Sequence, residues 1–181
     1  MEGYGMDQWL LRVCQRLANE GFGAIAPDMF ARFGGSNRSL GPENLMKLKS
    51  EDALADIAEC VSELKRIGAT KVGVTGFCMG GRITYEAATK GAPVAAAAAF
   101  YGAGIGKMLG DPRCPMHLFY GGIDEYIPPD EIAAVEAHHP GLVTTYAEAG
   151  HAFMHEGNAQ DAEAANDAWP KLLTFFGEHL R

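Results

Sequence analysis

Gly76-Phe77-Cys78-Met79-Gly80-Gly81 joins an apolar run, Lys71 to Thr75, to a helical pattern that extends from about Gly80 to Thr89. A strand that enters a helix through so tight a turn forces its central residue into a strained backbone and holds that side chain out at the strand tip. The flanking glycines leave room for the helix to pack closely on the strand. The junction makes Cys78 a candidate nucleophile, with cysteine standing where serine is commoner.

The rest of the chain alternates in the same manner. Met6, Trp9, Leu10, Val13, Cys14 and Leu17 recur at helical spacing, and Phe22 to Ala26 then reads as a strand closed by Pro27-Asp28. A polar, Gly-rich stretch from Arg32 to Pro42 leads into a second helix, with Leu54, Ile57, Val61 and Leu64 inward and Asp52, Asp56, Glu59 and Glu63 toward water. Strands are expected at 94–101, 116–120 and 142–147 and a helix at 129–138. A last helix carries Ala162, Ala165, Trp169, Leu172 and Phe176, with Pro170 expected to kink or restart it. Repeated strand-helix crossovers imply an α/β fold, a mostly parallel sheet covered by helices on both faces. With no linker or internal repeat, residues 1–181 read as one domain.

Composition excludes several classes. A formal charge of −8 with scattered cations leaves no basic face for nucleic acid or an anionic membrane. No apolar run reaches the ~18 residues of a membrane span, and the start, Met1-Glu2-Gly3-Tyr4, lacks a basic region followed by an apolar one, so a cytoplasmic location is expected. Cys14, Cys60, Cys78 and Cys114 form no C-x-x-C pair and no metal-ligand spacing, so neither a disulfide framework nor a metal site is expected. The residues call for no cofactor, and they set no oligomeric state.

Two further strand ends carry chemistry. Leu118-Phe119-Tyr120-Gly121-Gly122-Ile123-Asp124 puts a carboxylate just past one strand, and Glu148-Ala149-Gly150-His151 puts an imidazole just past another. Carboxyl ends of parallel strands share one edge, where ligands bind, so Cys78, Asp124 and His151 are expected to converge. Nucleophile, acid, histidine is the chain order of α/β-hydrolases. Each has a structural alternative: a packing thiol, a turn aspartate, a loop histidine. His155 lies close enough to His151 to suggest a metal pair, but no acidic ligand at zincin spacing accompanies them.

With these residues in hand, the chain resembles the dienelactone hydrolase family, cysteine-dependent members of the α/β-hydrolase fold. The resemblance rests on Glu2-Gly3-Tyr4-Gly5, Ala26-Pro27-Asp28-Met29-Phe30-Ala31-Arg32, the elbow around Cys78, Tyr120-Gly121-Gly122-Ile123-Asp124 with Ile127-Pro128, and Glu148-Ala149-Gly150-His151-Ala152-Phe153. It implies hydrolysis of a small ester or lactone through Cys78, Asp124 and His151. It assigns Glu2 the role of contacting the resting thiol and helping to form the thiolate, and Met79 and Gly3 the main-chain N–H groups of an oxyanion hole. Arg32 and His155 are the expected substrate contacts, and a small molecule the expected partner.

Two departures qualify that reading. Family members carry further strands ahead of the glutamate, one of them running up to it inside the sheet, whereas this chain starts almost at the glutamate. Family enzymes that act on dienelactone tend to carry arginine where His155 stands, and histidine is a weaker, pH-dependent anchor. Arg38, Lys47 and Lys49 are further candidates for a substrate cation. Two other classes stay open: a non-catalytic binding domain built on the same fold, and a redox-sensing thiol protein using Cys78.

Overall fold

The computed structural model describes residues 1–155 and 161–181. Its helices are α1 (Gln8–Asn19), α2 (Gly41–Lys47), α3 (Ser50–Arg66), α4 (Met79–Lys90), α5 (Pro129–His138) and α6 (Ala162–Leu180). The strands β1 (Gly73–Phe77), β2 (Ala96–Phe100), β3 (Met116–Gly121) and β4 (Val143–Tyr146) form a parallel sheet in that spatial order. The α/β reading holds.

Side-chain alternation along β1 shows how the layers are arranged. A Cβ at Gly73 would meet Phe176 and Leu180 of α6, whereas one at Gly76 would meet Gly80 and Thr84 of α4. Positions an odd number apart on a strand face opposite ways, so α4 and α6 cover opposite faces. Arg16 of α1 lies over the Trp169 ring of α6 at 3.8 Å, which puts α1 on the α6 side. β2 is buried throughout and consists of four alanines and a phenylalanine, small enough for helices to approach from both sides.

At the carboxyl end of the sheet the register aligns Phe77, Phe100 and Phe119. Their rings stack at 5.0 and 4.4 Å across three strands, an apolar floor on which the loops carrying polar residues rest. α1 begins where Asp7 accepts the Leu10 N–H at 2.8 Å, the first-turn cap that sets its start.

Two expected elements differ. Phe22 to Ala26 is not a strand of the sheet: among the described residues, 23–27 make no main-chain hydrogen bond to one another or to the sheet. Strand identity needs a ladder partner as well as an apolar run, and here none lies alongside. Between this segment and β1 runs a slot of about 380 Å3, walled by apolar side chains of α1, α3 and α6, among them Leu10, Val61, Leu64 and Phe176. Met1 lines the slot and its carbonyl accepts the Gly80 N–H at 3.0 Å. The second difference is α6, where of the kink or restart expected at Pro170 the restart does not occur: the helix runs on through it. Pro170 and Asn166, whose carbonyl loses its intrahelical donor, both face solvent, where water replaces the missing bond.

Candidate active site

Cys78 is the N-cap of α4, with φ 55° and ψ −114°, one of three described non-glycine residues at positive φ. Its N–H donates to the Phe100 carbonyl at 3.1 Å and its own carbonyl accepts from Arg82, so the strained turn is tied to β2 on one side and to α4 on the other. The elbow depends on the absence of side chains around it. A Cβ at Gly81 would lie 2.2 Å from the Phe100 carbonyl oxygen. The Cys78 side chain itself is half-buried.

Asp124 follows β3 and His151 follows β4, and the structure brings them together: His151 Nδ1 meets Asp124 Oδ2 at 2.7 Å. The other carboxylate oxygen accepts the Tyr126 N–H at 2.8 Å, which fixes the aspartate in place. Asp124's side chain is fully buried and that of His151 nearly so. Burial alone would pull the imidazolium down, but the bond to Asp124 and the facing Cys78 sulfur outweigh it and raise the His151 pKa to about 10. Cys78, His151 and Asp124 therefore occupy one site, with Nε2 as the ring nitrogen left for the thiol.

Glu2 joins a second cluster on the same side. Its Oε2 lies 2.9 Å from His155 Nε2, and the His155 ring stacks on Trp9 of α1 with centroids 4.0 Å apart. The bond to Glu2 raises the His155 pKa against the opposing effect of burial. His155 is thus engaged by the carboxylate. Glu2 and Cys78 both act on the buried Tyr101, which marks how near the two clusters are.

Arg32 does not join either cluster in the described contacts. Its guanidinium pairs with Asp52 at 3.0 Å and Asp56 at 2.6 Å, pinning the turn at 31–33 to α3. Among the described residues, Met79 and Gly3 donate their N–H groups to no main-chain acceptor. Cys78 and Met79 open onto a cavity of about 290 Å3 whose wall includes Leu45, Leu48, Lys49 and Arg82. No group of His, Cys, Asp or Glu suited to hold a metal ion occurs among the described residues.

A model of the dienelactone hydrolase family matches residues 1–180. The chain belongs to the dienelactone hydrolase family. Relatives of this family member include a protein of Escherichia coli K12 named "Putative carboxymethylenebutenolidase", 31% identical over 98% of this chain and 74% of the relative. One of the same name from Yersinia pestis is 32% identical over 98% of this chain and 76% of its own length. Among solved structures, a "Putative Dienelactone Hydrolase" from Klebsiella pneumoniae superposes with a TM-score of 0.84 at 28% identity, covering 98% of this chain and 84% of that one. An esterase of Pyrococcus furiosus, 13% identical with a TM-score of 0.65 over 96% of this chain and 77% of its own, shares the fold. The family makes this chain a hydrolase of the α/β type.

Three aromatic residues of this dienelactone hydrolase relative escaped the sequence reading. Tyr101 and Tyr126 present ring edges to His151 at 5.1 and 4.8 Å, and Trp9 supports His155. Tyr101 had a signal available: it directly follows the alanine-rich strand β2, at the same carboxyl edge as Cys78 and Asp124. Trp9 had none, because its position in a helical stripe is equally that of a core residue.

Proposed function

We propose that this chain hydrolyses a small ester or lactone through Cys78, with His151 as general base and acid and Asp124 as the group that orients it. The observation that carries the reading is the 2.7 Å Nδ1–Oδ2 bond, which leaves Nε2 of a buried imidazole beside a cysteine held at the tip of β1.

An ordinary thiol, with pKa ~8.5, is a few per cent ionised at neutral pH, and His151, raised to about 10, is base enough to take the thiol proton ahead of attack. Cys78 Sγ gives its proton to Nε2 and bonds to the substrate carbonyl carbon. The oxyanion accepts from the N–H groups of Met79 and Gly3, neither of which is spent on another main-chain oxygen. As the C–O bond breaks, His151 returns its proton to the departing alkoxide or enolate. Water then attacks the thioester, His151 takes its proton, and the acid leaves as the sulfur is reprotonated. Glu2 assists the first proton transfer. The cavity, at about 290 Å3 and largely apolar, suits a small acyl group.

Cys78→Ala is expected to abolish turnover of a chromogenic ester while the fold persists. The wild type is expected to release a burst of alcohol equal to the enzyme present and to gain the acyl mass on Cys78. Undiminished turnover by the variant would overturn the assignment. Ligand binding without acylation would indicate a binding domain, and peroxide-dependent sulfenic acid without esterase activity a redox sensor.

A further inference from the structure

The two oxygens of Glu2 have different surroundings. Oε2 meets His155, whereas Oε1 is buried and meets no hydrogen-bond donor. A buried carboxylate oxygen is costly to leave without one. Tyr101 presents the complementary defect: it is fully buried, and its hydroxyl also lacks a partner. That hydroxyl faces Glu2 and the main chain of Met154 but completes a hydrogen bond with neither. Burial, followed by the nearby charges of Glu2 and Cys78, raises the phenol well above its usual range, so the group stays an O–H donor.

Tyr101 is held firmly where it stands. Its N–H donates to the Phe119 carbonyl at 2.7 Å, it adopts φ 38°, and its ring packs against His151 and Phe153, both at 5.1 Å. Strained backbone of this kind persists where the surroundings over-determine it, often at functional sites. Being closed off from the cavity, Tyr101 has no route to touch a substrate directly.

We propose that Tyr101 is the second anchor of Glu2: its hydroxyl donates to Oε1 while His155 holds Oε2, and together they keep the carboxylate turned toward Cys78. Tyr101 is then a positioning residue that acts through Glu2, and the inference rests on the roles proposed above for Glu2 and Cys78. The titratable and charged groups around this pair are the Met1 ammonium, Cys78, His151, His155 and, further along α1 and its cap, Arg12 and Asp7. Tyr101→Phe leaves all of them in place.

The test is the rate at which iodoacetamide alkylates Cys78, followed by peptide mass from pH 4 to 10 in wild type, Tyr101→Phe, Glu2→Gln and the double variant. Without its donor the carboxylate turns away from the thiol. The alkylation rate of Tyr101→Phe at neutral pH should therefore fall by up to about tenfold. In the Glu2→Gln background the same substitution should change nothing. An unchanged rate in Tyr101→Phe, or an equal fall with and without Glu2, would overturn the proposal. A Glu2→Gln profile identical to wild type would overturn it together with the role of Glu2, while ester turnover lost in Cys78→Ala would still stand. If Tyr101→Phe does not fold, the wild-type crystal structure decides: Oη within about 3.2 Å of Oε1 supports the bond, and a wider gap overturns it.

Discussion

A methyl group added at Gly76 would land 2.1 Å from the Gly80 carbonyl oxygen, a backbone atom with nowhere to retreat. Gly76→Ala is accordingly expected to cost ~3 kcal/mol in chemical denaturation, at the upper end of overpacking, since β1 and α4 must separate to admit it. The His151–Asp124 pair leaves a pH signature. Its imidazolium is held to about 10, above the ~6.5 of an unfolded histidine, so the pair stabilises the fold fully below pH ~6.5 and loses that contribution as pH rises toward 10. The stability gap between wild type and Asp124→Asn should be widest at pH 6 and close by pH 10 in denaturant titrations at several pH values; a gap constant across that range would contradict the assigned shift. Cys78, Asp124 and His151 were legible in the sequence because each sits at a strand end, and strand ends are set locally. The partners of Arg32 and His155 were not, because Asp56 lies 24 residues and Glu2 153 residues away along the chain, and only tertiary packing chooses between them.

The strand misread at Phe22 to Ala26 marks where local pattern stops being sufficient. Alternation and apolar composition were right for β1 to β4, each of which finds a neighbour, but the same signal at 22–26 meets a slot in place of one. Pro170 does not restart the helix for the opposite reason: solvent and the packing of Ala168, Trp169 and Leu172 hold α6 together on either side of it. The slot has a measurable effect on β1. Since the Val72 carbonyl accepts from Ala95 and the Cys78 N–H donates to Phe100, even-numbered residues of β1 point at β2, and the N–H groups of Gly73, Thr75 and Phe77 point into the slot. Hydrogen exchange resolved to single amides should find those three faster than Val74 and Gly76; equal protection along β1 would mean that the edge is covered.

Taken whole, the molecule is an acidic body with a cavity that bears cations. A net charge of −8 repels anions at long range, whereas Lys49 and Arg82 outnumber the single carboxylate, Glu86, in the wall of the cavity onto which Cys78 opens, with Arg82 paired to Glu86 at 3.3 Å. Screening confines the long-range field to about 8 Å at physiological salt, so the local cations should govern the last step of approach. Iodoacetate is therefore expected to alkylate Cys78 several-fold more slowly in Lys49→Ala/Arg82→Ala than in the parent, with uncharged iodoacetamide unaffected. Equal slowing of both reagents would mean that the substitutions disturb the cavity and not its charge.

Trp9, stacked face to face on His155, has a consequence of a different kind. A protonated imidazole accepts an electron from excited indole far more readily than a neutral one, so the emission of Trp9 should be dim while His155 is charged and brighten as it loses its proton. The chain has one other tryptophan, Trp169, packed beneath Arg16, and among the described residues no histidine ring lies against it to follow. The hydrogen bond between Glu2 and His155 thus comes with its own lamp: light emitted from α1 reports, without any label, when the imidazole held by Glu2 loses its charge.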